Sequence, residues 1–248
     1  MIINRKKSGI IIIGDEILSG KTQDTNSYFL TKNLSMYGID VLEISIISDD
    51  EKQIINKVRS FAKKFDYVFT TGGIGPTHDD ITSESVSKAL KKKYIQNPLA
   101  KKLLEKHYPG KELTKPRLKM SFMPRGSKLI LNPVSVAPGF VTENVHVLPG
   151  VPNILKPMFL EFLNQSFKKN ILPKITISTI LSEGVIAQYV EEIQNKNPGI
   201  SIGSYPYFKS DQFGVSLVIK SNDKKKLSSV GKIIFNYLSD NGGDPKYF

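Results

Sequence analysis

The residues best suited to chemistry lie in one stretch, TTGGIGPTHDDIT, between Thr70 and Thr82. Gly72, Gly73 and Gly75 permit left-handed backbone and close approach of a ligand to the main chain. Pro76 and Thr77 continue the loop. Thr82 stands where it can cap a following helix, whose first N–H groups favour an anion. Yet Asp79 and Asp80 place two negative charges in the same loop. Carboxylates beside a phosphate repel it unless a cation sits between them. A hard divalent ion with oxygen ligands, Mg²⁺ or alternatively Co²⁺ or Mn²⁺, meets that need. Further carboxylates stand in GDE (14–16) and SDD (48–50). Beside Asp79 and Asp80, any of Asp49, Asp50 and Glu16 could supply a further ligand; Asp49, Asp79 and Asp80 are the expected metal ligands. The expected catalytic carboxylates are Asp80, Asp79 and Glu16, with Glu16 as a ligand or a water-orienting base.

Two familiar nucleotide motifs are excluded. GDEILSGK (14–21) has five residues between Gly14 and Gly20, where a phosphate-binding P-loop needs four before its Gly-Lys pair. GGIGPTH has G-x-G but His78 where a dinucleotide fingerprint needs its third glycine. His78, His107 and His146 are isolated, and no Ser-His-Asp arrangement stands out. In KPRLKM (115–120), Arg117 and Lys119 could equally meet a phosphate or form a solvated basic face.

The elements that must position these residues alternate. The run 10–13 reads as a buried strand, 26–37 as a helix stopped by Gly38, 41–47 as a strand and 51–64 as a helix. A strand at 67–70 and a helix at 83–91 follow. This β-α order predicts a parallel sheet covered by helices, with ligands bound beyond the carboxyl ends of the strands. After Lys93 the pattern loosens, and Pro98, Pro109, Pro116 and Pro124 read as breaks. Short strands, with a hairpin among them, are expected at 128–131, 139–142 and 145–148. LPGVP (148–152) then leads to a helix that Pro157 should delay or kink. A composition shift near 168–173 precedes a compact β-α-β-β-α pattern.

The 248 residues carry a net charge of +12, mostly from lysine; the arginines are Arg5, Arg59, Arg117 and Arg125. Such a charge can attract nucleotides or other polyanions. No aromatic series interleaves a basic stripe, so nucleic acid is not an expected partner. The basic-then-apolar start suggests a secretory leader, but the apolar run 10–13 is short and meets Asp15 and Glu16. Without cysteine there is no thiolate or disulfide chemistry. A cytoplasmic protein that does not enter a membrane is expected.

TGGIGPTHDDIT resembles the signature of the molybdopterin-binding-like domain of MoaB/Mog and CinA proteins and of the N-terminal part of eukaryotic FAD synthases. GDEILSGKTQDTN (14–26) and NPVSVAPGF…VLPGVP (132–152) resemble the CinA branch, and RLKM (117–120) the FAD synthase branch. The resemblance covers roughly residues 8–165. It implies an α/β fold with a three-layer, mostly parallel sheet in a domain spanning 1–168. A small α+β domain follows at 172–248. The implied pocket is lined by Gly14, Glu16, Asn26, Asp49, the 72–80 loop and Pro149-Gly150.

The resemblance further implies metal-dependent hydrolysis of a dinucleotide pyrophosphate, ADP-ribose or FAD, to AMP and a phosphorylated product, with K⁺ as a further candidate ion. Substrate contacts fall to Gly14, Asn26, Gly72, Gly73, Gly75, Pro76, Thr77, Thr82, Arg117, Pro149 and Gly150. The alternatives are a pterin-binding or adenylylating protein of molybdenum cofactor synthesis, and a non-catalytic nucleotide-binding module. A homo-oligomer, first of all a dimer, is expected. The sequence ends without the nicotinamide-nucleotide deamidase domain of longer CinA proteins or the synthase domain of FAD synthases, so neither activity is expected.

Overall fold

The computed structural model describes residues 5–108, 113–209 and 212–248. Two compact units divide these residues, Arg5–Asn170 and Ile171–Phe248.

The first unit opens with β1 (Lys6–Ile13), α1 (Asp15–Leu18), α2 (Asn26–Met36), β2 (Ile39–Ile47), α3 (Glu51–Lys64), β3 (Tyr67–Thr71) and α4 (Thr82–Ala89). It continues through β4 (Tyr94–Gln96), α5 (Pro98–His107), α6 (Lys115–Lys119) and β5 (Phe122–Pro124). It closes with β6 (Lys128–Ile130), β7 (Gly139–Thr142), β8 (Val145–Leu148) and α7 (Pro152–Ser166). Six strands form one sheet in the order β2-β1-β3-β8-β7-β6. β2, β1, β3 and β8 are parallel, while β7 and β6 run antiparallel to their neighbours. β4 and β5 form a separate antiparallel pair.

The continuous apolar run of β1 follows from burial on both faces, as in other helix-covered parallel sheets. Successive side chains point to opposite faces. Ile11 and Ile13 join Ile54, Val58 and Phe61 of α3 and Val86 of α4 in one core. Ile10 and Ile12 join Leu30 and Leu34 of α2 and Leu155 and Phe159 of α7 in the other. The layers are therefore helix, sheet, helix. Each fully buried Ile, Leu or Phe contributes on the order of 1.5–3 kcal/mol.

Several expected breaks turn out to be starts. Pro98 is the first residue of α5, where its missing N–H costs nothing. Asn97 caps that helix, its Oδ1 accepting from the N–H groups of Leu99 and Ala100 at 3.0 and 3.1 Å. Pro116 lies in the first turn of α6, and Pro124 ends β5. Pro109 lies outside the described residues. Pro157 sits inside α7 without delaying its start. Its missing N–H leaves only the carbonyl of Asn153 without a helical partner, and Asn153 is exposed to water.

The second unit comprises β9 (Lys174–Thr179), α8 (Glu183–Lys196), β10 (Ser201–Lys209), β11 (Gln212–Lys220), α9 (Lys224–Asp240) and β12 (Lys246–Tyr247). Its sheet is antiparallel in the order β10-β11-β9-β12. Ile177, Leu217 and Ile219 from the strands pack with Ile186 of α8 and Val230, Ile234 and Leu238 of α9. Among the described residues no helix is long and apolar enough to cross a membrane.

Candidate functional site

β1, β2, β3 and β8 all end at the same edge of the sheet, and the four loops leaving them build one cavity of about 550 Å³. Ile13 at the end of β1 and Glu16 just beyond it come from the first, Asp49 from the second, residues 72–77 with Asp79 and Asp80 from the third, and Pro149-Gly150 from the fourth.

The third loop needs its glycines. Gly72 has φ +103°, and a Cβ there would stand 2.0 Å from the carbonyl oxygen of Ile13. Gly73 has φ +66°, and its Cβ would stand 2.2 Å from Thr82 Oγ1. A Cβ on Gly75 would lie 2.7 Å from Asp80 Oδ2. The fourth loop closes on the third: a Cβ on Gly150 would approach Gly72 Cα to 3.2 Å. The N–H of Gly72 donates to the carbonyl of Leu148 at 3.2 Å.

The first two loops are tied by a reciprocal exchange. The N–H of Asp15 donates to Asp49 Oδ2 at 3.0 Å, and the N–H of Asp49 donates to Asp15 Oδ1 at 3.3 Å. Asp50 next to them caps α3 by accepting from the N–H of Gln53. Burial raises the Asp49 carboxyl above the usual range, and the charges of Asp15, Glu16 and Asp79 add to this, against the opposing Asp15 N–H. A carboxylate held among three others is a place where a cation is electrostatically favoured.

Asp79 and Asp80 turn towards Thr77. The Thr77 hydroxyl is shared between the Asp79 carboxylate and Asp80 Oδ2, the latter at 2.5 Å. The N–H of Thr77 donates to Asp80 Oδ2 at 2.7 Å. The Thr77 hydroxyl, followed by the Asp79 N–H and the charges of His78 and Lys119, holds the Asp79 carboxyl below its ordinary value. Among the described residues no three histidine or carboxylate side chains converge closely enough to hold a metal ion alone. Asp49, Asp79 and Asp80 therefore form no closed cage.

The other expected contact residues divide. Glu16, Asp49, Gly72, Gly73, Gly75, Pro76, Thr77, Asp79, Asp80, Pro149 and Gly150 line the cavity. Gly14 is not part of the lining but abuts Glu16: a Cβ there would stand 2.6 Å from its carboxylate. Asn26 lies behind the wall, donating through Nδ2 to the carbonyl of Gly150 at 2.7 Å. Thr82 is not a cap. The N-cap of α4 is Ile81, with no side-chain cap, and Thr82 is buried with Oγ1 unpaired beside Gly73. A hydroxyl one residue inside the helix cannot reach its own free N–H groups as an N-cap does. Arg117 is drawn off the wall: its guanidinium sits over the Tyr108 ring, 4.0 Å from the centroid. His146 is a core residue of β8, remote from this loop in its contacts, with Nδ1 3.2 Å from the carbonyl oxygens of Val68 and Asn144.

Asn132, Ser135 and Ala137, which have no expected contact role, line the cavity from the loop between β6 and β7. Asn132 Oδ1 accepts from the N–H groups of Val134 and Ser135, while Nδ2 donates to Ser135 Oγ and the Ala137 carbonyl. An Asn-Pro pair followed by Ser is a readable signal for such a turn. Met120, Val151, Pro152 and Ile154 add an apolar portion of wall.

Residues 9–169 match the family described as "Probable molybdopterin binding domain", and residues 173–242 match the middle domain of FAD synthase. A CinA-like protein of Fusobacterium nucleatum is 36% identical over 239 residues, covering 94% of this chain and 59% of the relative. A "Probable FAD synthase" of Caenorhabditis elegans is 34% identical over 253 residues, covering 91% of this chain and 49% of the relative. The chain thus spans about half to three-fifths of these two relatives. A protein of Archaeoglobus fulgidus is 33% identical and is matched over 97% of its length. The crystal structure of CinA from Thermoplasma acidophilum superposes with a TM-score of 0.61 at 34% identity, over 65% of this chain and 98% of that one. By its sequence match and its sheet alike, this chain belongs to the molybdopterin-binding domain family, with relatives among CinA-like proteins and FAD synthases.

Proposed function

We propose that the chain is a metal-dependent nucleotide pyrophosphatase that hydrolyses a dinucleotide such as ADP-ribose or FAD. The observation that carries this reading is the meeting, in one cavity, of a glycine loop stripped of side chains with Glu16, Asp49, Asp79 and Asp80. The glycines let main-chain N–H groups approach a pyrophosphate. Carboxylates alone would repel it.

The oxygen-only donor set fits a hard ion held by one or two carboxylates, with water and substrate phosphate completing its shell; it does not fit a protein-only cage. One or two of Asp49, Asp79 and Asp80 would hold the ion. When bound, it would neutralise phosphate charge and raise the acidity of a coordinated water. Glu16 then orients the attacking water and receives its proton. The water oxygen bonds to one phosphorus as the bond from that phosphorus to the bridging oxygen breaks. The bridging oxygen leaves with the other phosphate and takes up the proton. The products are AMP and ribose 5-phosphate, or AMP and FMN. The apolar wall of Met120, Val151 and Ile154 offers a surface for a base or ring.

A second reading rests on the family description: the same cavity would hold a pterin, with or without adenylyl transfer. The deciding experiment is chromatographic detection of AMP from ADP-ribose and from FAD, with Mg²⁺, Mn²⁺ or Co²⁺ and with chelator. Metal-dependent AMP release supports the hydrolase. No release from either substrate, by folded protein, overturns it in favour of pterin binding.

A further inference from the structure

The cavity wall has four carboxylates and, among the described residues, no lysine or arginine. A pyrophosphate ligand brings further negative charge to it. One cation nevertheless reaches the loop. Lys119, the last residue of α6, donates through Nζ to the carbonyl of Thr77 at 2.6 Å, and Thr77 lines the cavity. Its charge is felt at the Asp79 carboxylate. Among the described residues Lys119 forms no ion pair, in contrast to Lys64, Lys88 and Lys92. Its neighbour Met120 is part of the wall. Arg117 is already stacked on Tyr108.

We infer that Lys119 is the phosphate-binding cation of this site and sets its preference for phosphorylated ligands. An ammonium group has three donors, and the Thr77 carbonyl occupies one. The other two remain for an anion, and a phosphate oxygen is a stronger partner for a full charge than a neutral carbonyl. With Glu16 and Asp49 supplied by the loops after β1 and β2, Lys119 makes the cavity bipolar. A ligand phosphate is drawn to the α6 side, leaving the carboxylates to the water and the ion. This rests on the nucleotide reading of the cavity but not on turnover.

The test is calorimetric binding of adenosine, AMP, ADP and ADP-ribose, with Mg²⁺ present, to wild type, Lys119→Met and Lys119→Arg. The inference expects Lys119→Met to weaken the phosphorylated ligands roughly ten- to a hundredfold, as for loss of a charge-assisted hydrogen bond. Adenosine binding is unchanged, and Lys119→Arg recovers part of the loss. Equal weakening of all four ligands means that Lys119 only holds the loop through Thr77, and overturns it. So does unchanged binding, or a wild type that binds none of them. Wild type that binds phosphorylated ligands without releasing AMP overturns the hydrolase while leaving this inference intact.

Discussion

The side-chain amide of Asn26 donates to the main-chain carbonyl of Gly150 at 2.7 Å, across 124 positions of sequence. This bond joins the start of α2 to the loop after β8 and fixes the amide orientation. Turned over, Oδ1 would face another acceptor. Oδ1 is itself buried without a partner. Asn26→Asp would set a carboxylate against the carbonyl in a site only 6% exposed. The expected loss is about 1–3 kcal/mol of stability, read as a lower urea midpoint. An unchanged midpoint would show that the bond does not hold the loop.

Gly72 and Gly126 separate crowding from backbone strain. Both have positive φ, +103° and +86°, but a Cβ on Gly126 meets nothing within 4 Å. Gly126→Ala should cost about 1–2 kcal/mol, from the left-handed backbone alone. Gly72→Ala should cost more than that and abolish ligand binding, since its Cβ collides with the Ile13 carbonyl. Equal midpoints for the two variants would refute the tight approach of Gly72 to the end of β1.

Asp80→Asn preserves shape and removes charge. The amide can still accept the Thr77 N–H through Oδ1, so the thermal midpoint should stay close to wild type. AMP release should fall on the order of a hundredfold or more, as when one preorganised electrostatic partner is lost. Full activity in this variant would remove Asp80 from the mechanism.

His146 gives a pH signature outside the cavity. Burial lowers its pKa from 6.5 to about 4, against the Val68 and Asn144 carbonyls, which raise it. The folded imidazole thus stays neutral where the unfolded one takes up a proton. Its contribution is fully present above about pH 6.5 and is lost as pH falls towards 4, on the order of 3 kcal/mol in all. The difference in unfolding free energy between wild type and His146→Phe should change across this window and level off above it. A constant difference would contradict the burial of a neutral ring.

The alternation of strands and helices is readable because β1, buried on both faces, is a short continuous apolar run, Ile10 and Ile12 to one side and Ile11 and Ile13 to the other, while the helices repeat apolar residues along one face. The residues of 90–125 were opaque for the opposite reason. Pro98 and Pro116 stand at helix starts, and proline alone does not say whether it ends one element or begins the next. In the cavity, glycines and carboxylates at strand ends declared themselves by type. Arg117 did not, because its attraction to Tyr108 depends on a contact that spacing does not encode. Asn132 and Met120 come from loops with no regular period; the Asn-Pro pair announces a turn, but only the fold brings that turn and Met120 into the wall.

β8 lies between β3 and β7, so Val145–Leu148 must pair with Tyr67–Thr71 from far behind it in the chain. On the ribosome, β1, β2 and β3 emerge well before that partner. Until residue 148 is clear of the exit tunnel, β3 keeps one edge unpaired, and Gly72 has no Leu148 carbonyl to receive its N–H. The nascent chain can bury its α3 side early, but its cavity has no fourth wall until α7 begins. Translation delays or truncations upstream of Leu148 should therefore yield chains that expose an open sheet edge, the form in which such a protein is most prone to aggregate.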